Sequence, residues 1–243
     1  MKTAALVLAL LLGTTAAEAA EVKLLISNAV ITVMQDLAPR FEAESGHKLA
    51  ITYGSTNPLK ARIDKGEAFD LTILGENAID DLVKQGKLVA ATRTIVARSG
   101  LGLAIRKGTP KPDIGTTEGF KRALLEAKSI AYLEDGLTGT YLKVLFQRLG
   151  ITESMQAKYK SARGAEAVAK GEVELGVTQI SEILHQAGTE LAGPLPPEIQ
   201  NYTNFASAVS AGALQTEAAK AFLRYFSSPD AARVIRASGL EPR

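Results

Sequence analysis

The stretch VKLLISNAVITVMQDLAPRF, residues 22–41, sets a pattern that the rest of the chain repeats. Val22–Ile26 is an apolar run of the length and composition that favours a buried strand. Ser27 and Asn28 follow it and precede apolar residues spaced along one face of a helix, with Asn28 suited to the N-cap. Pro39 lies inside this helical spacing, which predicts a kink or a break there. The stretch therefore predicts a strand, a polar turn and a helix in direct succession.

The same unit recurs along the chain. The strand-like runs Lys48–Tyr53, Phe69–Leu74 and Ser129–Leu133 are each followed by a turn and a helical pattern. Thr94–Ile105 predicts another strand, interrupted at Ser99-Gly100. Because short turns join strands and helices in alternation, the sequence predicts an α/β fold with mostly parallel sheets flanked by helices.

Composition excludes several classes of protein. The 28 Lys and Arg residues are scattered among 26 Asp and Glu residues, so the formal net charge is +2 and no nucleic-acid partner is expected. Cysteine is absent, which excludes disulfides and thiol chemistry. His47 and His185 are too far apart in the sequence to suggest a transition-metal site. Since no phosphate-binding glycine loop occurs either, we expect no cofactor and no metal.

Residues 1–20, MKTAALVLALLLGTTAAEAA, have the pattern of a secretory signal peptide. Lys2 supplies a positive charge at the start, and Ala4–Leu12 is apolar. Ala17-Glu18-Ala19 is a small-x-small cleavage site, and cleavage one residue later, between Ala20 and Glu21, is the shifted option. We therefore expect cleavage near Ala19 or Ala20 and export to the periplasm. An uncleaved N-terminal anchor is the alternative.

Three turns between strands and helices carry small polar residues. They are Ser27-Asn28, Ser55-Thr56 and Thr138-Gly139-Thr140. Helix N-termini expose free N–H groups and a partial positive charge, and ligands of open α/β sheets bind beyond the carboxyl ends of the strands. Each turn taken alone is explained by helix capping, whereas their recurrence predicts a binding site for an anion.

Several segments carry a resemblance to a known family. They are Ser27-Asn28-Ala29 after the first strand, Asp36–Glu42, Tyr53–Thr56 before a helix, Lys65–Leu71 and Val168–Val177. In their order and spacing the chain resembles the type II periplasmic solute-binding proteins, in the branch of molybdate-binding proteins. The resemblance covers essentially all of the sequence after residue 20.

This resemblance implies a two-lobed fold with a ligand cleft between the lobes. Lobe I would hold residues 21–97 and 200–243, lobe II would hold residues 98–199, and the two would close on the ligand by a hinge motion. It also implies a small anionic ligand, an inner-membrane ABC permease as partner, and a monomer.

The resemblance departs from the family at the ligand site. Ala29 stands where molybdate binders usually place a Ser hydroxyl, Thr56 keeps a hydroxyl, and Gln179 stands where they have a Tyr. An amide both donates and accepts hydrogen bonds, whereas a fully deprotonated tetrahedral oxyanion needs donors only. We therefore expect an organic ligand with carboxylate groups, and an oxyanion is the alternative.

Four further residues complete the predicted site. Arg98 and Arg163 are candidates to clamp a carboxylate, Tyr141 is a candidate to line the cleft, and Ser99 lies on the crossing strand. The predicted ligand-binding residues are Ser27, Asn28, Ser55, Thr56, Arg98, Ser99, Thr138, Gly139, Thr140, Tyr141, Arg163 and Gln179.

Three functions compete. The first is a periplasmic receptor that delivers its ligand to an ABC transporter. The second is an isomerase of the aconitate isomerase type, which this branch of the fold also resembles and which needs a base to move a proton on a tricarboxylate. Its base candidates are Glu134, Asp135, Tyr141 and Arg163. The third is a sensor subunit that reports its bound state to a membrane signalling protein.

Overall fold

The computed structural model describes residues 19–242 of the chain. Residues 1–18, which hold most of the expected signal peptide, lie outside this range. Among the described residues, none of the helices combines the length and the apolar character that crossing a membrane requires.

Ten strands alternate with ten α-helices over the described residues. The strands are β1 (Glu21–Ser27), β2 (Lys48–Gly54), β3 (Leu71–Gly75), β4 (Thr94–Arg106), β5 (Ile130–Tyr132), β6 (Tyr159–Ser161), β7 (Leu175–Gln179), β8 (Thr189–Pro194), β9 (Tyr202–Val209) and β10 (Glu241–Pro242). The helices are α1 (Ile31–Ser45), α2 (Thr56–Asp64), α3 (Glu76–Lys84), α4 (Thr117–Glu126), α5 (Leu137–Leu149), α6 (Thr152–Gln156), α7 (Gly164–Ala169), α8 (Ile180–His185), α9 (Thr216–Phe226) and α10 (Pro229–Ala237). The predicted α/β alternation is thus observed.

The strands follow the order β2-β1-β3-β9-β4-β7-β5-β6, and β8 and β10 also pair with β4. Among the described residues four strand pairs are parallel and five are antiparallel. The expectation of mostly parallel sheets is therefore wrong in this detail. Every antiparallel pair involves β4 or β9. Strand β9 runs antiparallel to β3 and to β4, and β4 also runs antiparallel to β7, β8 and β10.

Strand β4 joins two sections of the sheet without the interruption predicted at Ser99-Gly100. Its first half pairs with β9, where Ser99 lies opposite Thr203, and its second half pairs with β7 and β8. We call β1, β2, β3, β9, β10 and the first half of β4 the first sheet section, and β5, β6, β7, β8 and the second half of β4 the second sheet section. The proposed lobe boundaries near residues 97 and 199 stay a prediction.

Helix α1 continues through Pro39 as one helix, so the predicted break is wrong, while the predicted kink stays a prediction. Pro39 is exposed, while Leu37, Ala38 and Phe41 on either side are buried in the core of the first section. A proline removes one backbone hydrogen bond, and the packing of its neighbours outweighs that loss.

Each sheet section has its own apolar core. In the first section Phe41 packs edge-on against Phe222, with ring centroids 5.2 Å apart, and Phe222 also contacts Phe226. In the second section Phe120 and Phe146 are buried between the helices and the strands. Since the two cores are separate, the space between the sections is free to hold a ligand.

Asp70 fastens the first section at the start of β3. It is 3% exposed, and its carboxylate accepts hydrogen bonds from three backbone N–H groups. Oδ2 accepts from Lys23 at 2.8 Å, and Oδ1 accepts from Leu214 at 2.8 Å and from Gln215 at 2.9 Å. One buried carboxylate therefore ties β1 and β3 to the segment that leads into α9.

We expect Asp70→Ala to lower the free energy of unfolding by about 2–4 kcal/mol, because it leaves three N–H groups without their acceptor. Urea unfolding of the purified protein measures this loss. Asp81→Ala, at an exposed position on α3, is the matched control and is expected to stay within about 0.5 kcal/mol of the wild type. Equal losses in the two variants would contradict the anchoring role of Asp70.

Candidate functional site

A cleft between the two sheet sections has two connected compartments. The large one has a volume of about 480 Å³ and the small one about 40 Å³, and Leu137, Thr138 and Gln179 line both. The large compartment is also lined by Gly75, Glu76, Asn77, Ala78, Leu101, Thr140, Tyr141, Val144, Asn201, Tyr202, Thr203 and Asn204. The small compartment is also lined by Ser27, Asn28, Ala29, Ser55, Thr56, Leu133, Gly136, Thr178, Glu182 and Phe205.

Helices α2 and α5 both begin at the small compartment. The N-cap residues are Ser55 for α2 and Gly136 for α5, and no side chain caps either helix. The first N–H groups of a helix have no partner within it and carry a partial positive charge. Asn57 Nδ2 donates to the Asp135 carbonyl at 2.9 Å, which holds the two helix starts side by side. The small compartment is thus suited to an anion.

The turn after β1 and the start of α2 supply hydroxyl groups. Ser27 and Asn28 line the small compartment, and Ser27 Oγ accepts from the Ala29 N–H at 3.4 Å. Thr56 Oγ1 accepts from the Gly75 N–H at 3.1 Å, so the hydroxyl hydrogen of Thr56 is directed by that bond toward another acceptor. These predicted site residues are brought together by the fold.

Gln179 lies at the end of β7 and lines both compartments. It is 5% exposed, and its Nε2 donates to Thr203 Oγ1 at 3.2 Å. Its Oε1 is buried without a hydrogen-bond partner among the described residues. A buried acceptor without a partner is costly, so this oxygen is suited to a ligand that brings a donor.

Thr138, Thr140 and Tyr141 line the large compartment from α5. The Tyr141 hydroxyl donates to the Ile199 carbonyl at 2.7 Å, which fixes its ring against the segment before β9. Burial raises the pKa of Tyr141, so the phenol stays neutral and serves as a wall of the cleft rather than as a base.

Arg98 and Ser99 lie on β4 but line neither compartment. Arg98 Nε donates to Glu241 Oε2 at 2.6 Å, and its guanidinium lies 4.9 Å from the centre of the Tyr202 ring. Ser99 is buried, and its hydroxyl donates to the Gly100 carbonyl at 3.3 Å. Both side chains therefore have partners within the protein. Arg98 joins β4 to β10, and Ser99 contacts the backbone of β4 itself.

Arg163 does not line the cleft either, since it precedes α7 and pairs with Glu166 at 3.5 Å. Gly139 is buried in α5, and its contribution to the site is steric. A Cβ at residue 139 would lie 2.3 Å from the Leu133 carbonyl oxygen and 2.4 Å from that of Glu134. The missing side chain therefore lets α5 start directly against the turn that precedes it.

Gly75 has a similar role where the two sections meet. A Cβ at this position would lie 2.6 Å from Leu137 Cδ1, the first residue of α5. A side chain at residue 75 would therefore have to displace the flexible end of the Leu137 side chain.

Glu182, which sequence reasoning missed, is an ionisable residue of the small compartment. It lies in the first turn of α8 and forms a hydrogen bond with Thr178 Oγ1. Burial raises its pKa, and this effect outweighs the hydrogen bond from Thr178 and the charge of Arg163, which both lower it. In the sequence, an acid in the first turn of a helix is indistinguishable from an ordinary helix-stabilising residue.

Other acids at or near the cleft are held ionised. Hydrogen bonds from Asn204 and Arg93 lower the pKa of Glu76, which lines the large compartment. The exposed Glu134, a predicted base, lines neither compartment, and bonds from Tyr159 and Lys143 lower its pKa. No group of three acidic or His side chains within residues 19–242 is arranged to hold a metal ion.

Comparison with known proteins places this geometry in a family. The family model of bacterial extracellular solute-binding proteins matches residues 22–241. The chain belongs to that family. The match spans both sheet sections and every residue that lines the two compartments, so the cleft lies within the family's shared structure.

Two relatives in sequence carry different descriptions. An aconitate isomerase from Pseudomonas sp is 34% identical over 247 residues, covering 96% of this chain and 94% of the relative. The molybdate-binding protein ModA of Azotobacter vinelandii is 28% identical over 232 residues, covering 92% of this chain and 91% of the relative. The solved periplasmic molybdate-binding protein of A. vinelandii superposes with a TM-score of 0.73 at 21% identity, over 90% of this chain and 98% of that one. The solute-binding fold inferred from the sequence is therefore confirmed.

We expect Gly139→Ala to lower the free energy of unfolding by about 1–3 kcal/mol, since its Cβ would collide with two backbone carbonyl oxygens. Denaturant unfolding measures the loss. The matched control is Gly212→Ala, whose Cβ would meet its nearest atom at 4.0 Å and which is expected to leave stability nearly unchanged. A Gly139→Ala variant as stable as this control would show that the turn before α5 shifts to accommodate the added Cβ without a loss of stability.

Proposed function

We propose that the protein binds a small organic anion with carboxylate groups in its cleft and delivers it to an ABC-type permease of the inner membrane. The observation that carries this proposal is the pair of uncapped helix N-termini at the small compartment, with the unpartnered Oε1 of Gln179 beside them. Membership of the extracellular solute-binding proteins supports the delivery role. Export to the periplasm by a signal peptide in residues 1–20, and a monomeric state, belong to the same proposal.

The mechanism we propose is capture followed by closure. The N-termini of α2 and α5, with Ser55 and Thr56, bind the anionic end of the ligand. Residues 21–97 with 200–243 then close against residues 98–199 by a hinge motion, and the permease recognises the closed form. The path of the chain supports this division, because it passes between the two sheet sections within β4 and again between β8 and β9.

An organic ligand fits the cleft better than an oxyanion does. Gln179 Oε1 needs a donor, which the hydroxyl group of a hydroxylated organic acid offers and a fully ionised oxyanion does not. The large compartment next to it has a volume of about 480 Å³ and includes the rings of Tyr141 and Tyr202 beside Val144. A carboxylate in the small compartment would leave room there for a hydroxylated or unsaturated carbon chain.

The thermal midpoint of the purified protein tests the ligand class. The panel consists of molybdate, tungstate, sulfate, phosphate, and di- and tricarboxylates that include both aconitate isomers. A ligand at about 100 times its Kd stabilises the native state by about 2.7 kcal/mol, which raises the midpoint by roughly 5–10 °C at this chain length. We expect organic acids to give this shift, and a shift with molybdate or tungstate alone would contradict the proposal.

Gln179→Leu removes the acceptor and the amide donor while keeping a side chain of similar size. For a ligand that carries a hydroxyl donor we expect Kd to rise by about tenfold or more. For a ligand without such a donor the loss is expected to be smaller, and isothermal titration of a matched pair measures the difference. Gln147→Leu, at an exposed position of α5, is the control. Equal losses for both ligands would argue against hydrogen bonding to Oε1.

An isomerase of small polycarboxylates is the second candidate, favoured by the aconitate isomerase relative at 34% identity. In such a reaction a base removes a proton from one allylic carbon, the double bond shifts, and the proton returns to the other end. Glu182 is the side chain we propose for this transfer, since it is the carboxyl group of the small compartment. Conversion of one aconitate isomer into the other by the purified protein, followed by NMR, decides between turnover and binding alone.

A further inference from the structure

Glu182 is an acid in the compartment that the proposed function assigns to an anion. It lines this space together with Ser27, Asn28, Ser55 and Thr56. An ionised carboxylate here would repel an anionic ligand, whereas a neutral carboxyl group would donate a hydrogen bond to it. The protonation of this one group therefore decides whether the compartment attracts or rejects an anion.

The surroundings of Glu182 provide no cation in direct contact. Its hydrogen bond is to Thr178, and no ion pair involves it among the described residues. Arg163 is the charged group whose field acts on it, and Arg163 itself pairs with Glu166. The charged groups on the elements packed against α8 have other partners. Four ion pairs account for most of them: Arg98–Glu241, Lys111–Glu190, Arg40–Asp36 and Lys48–Glu42. Arg106 lies beside Gly171, Glu44 contacts Tyr225, and His185 Nδ1 contacts the Ser181 carbonyl of its own helix.

Burial raises the pKa of Glu182 in the free protein, against the weaker opposing effects of Thr178 and Arg163. An anion bound in the same compartment raises it further, because a nearby negative charge favours the neutral form. Binding of an anion therefore shifts the pKa of Glu182 in the same direction as burial does.

We propose that Glu182 binds the ligand as a neutral carboxyl group, so that capture of the anion takes up a proton. The inference rests on the proposed function and adds a specificity residue to it. Thr178 holds one carboxyl oxygen, and the other donates its hydrogen to the anion. Together with Gln179 Oε1, Glu182 selects a ligand that offers an acceptor to one residue and a donor to the other.

Isothermal titration of the purified protein tests this coupling. The probes are malate as a hydroxylated dicarboxylate and molybdate as an oxyanion, each titrated from about pH 6 to about pH 8.5, where carboxylate ligands are ionised. Repeating each titration in buffers with different ionisation enthalpies counts the protons taken up. We expect affinity for the bound probe to fall by up to about tenfold per pH unit above the pKa of Glu182, with uptake approaching one proton.

Glu182→Gln provides the decisive variant, since Gln is always neutral and still donates. It is expected to bind within about threefold of the best wild-type affinity, with no pH dependence and no proton uptake. Glu190→Gln, whose carboxylate pairs with Lys111 on the surface, is the control and is expected to behave as the wild type. Proton uptake that persists in Glu182→Gln overturns the inference, as does a loss of binding at every pH. If neither probe binds the wild type, the proposed function fails for both ligand classes and the inference falls with it.

The free protein offers a test without a ligand. A carboxyl group whose pKa is raised by folding destabilises the native state as pH rises from its unfolded pKa through its folded pKa. Below that pH window the carboxyl group is protonated in both states and does not lower the free energy of unfolding. Urea unfolding should therefore find Glu182→Gln more stable than the wild type in alkaline buffer, with the difference vanishing in acid. Parallel pH profiles for the two proteins would show that folding does not raise the pKa of Glu182 and would overturn the inference.

Discussion

Two helices begin at one small space, and neither covers its own free N–H groups with a capping side chain. This constraint organises the cleft. The bond from Asn57 to the Asp135 carbonyl keeps the two helix starts together, and the missing side chain of Gly139 lets α5 begin directly at its turn. No capping side chain uses the first N–H groups of these helices, so the cleft is suited to bind an anion through the backbone more than through charged side chains.

The cleft also combines groups that a plain anion site does not need. Gln179 contributes a buried acceptor, and Glu182 contributes a carboxyl group whose pKa burial raises. Both are at or next to the end of β7, where strand and helix meet. A receptor and an isomerase would use these groups differently, one to select a ligand and the other to move its proton.

The sequence predicted the parts of the site that depend on local spacing. Ser27, Ser55 and Thr138 lie at or next to a strand end or a helix start, and such positions are predictable because capping residues and apolar periodicity adjoin each other. Arg98 was not predictable in the same way, since its partner Glu241 is distant in the chain. Glu182 was missed because its meaning comes from burial, which a sequence does not display. The path of β4 was also misread, because the pairing of Ser99 with Thr203 keeps the strand continuous through a dipeptide typical of turns.

Gly75 has a consequence for how tightly the cleft can shut. With no atom beyond its Cα on that side, the end of β3 comes within contact distance of Leu137 across the ligand space. In the hinge closure that we propose, a methyl group at residue 75 would meet the end of the Leu137 side chain, which would have to move aside. In that closure, the size of the side chain at residue 75 would change the ligand affinity. It would do so by changing the clearance between the two sheet sections.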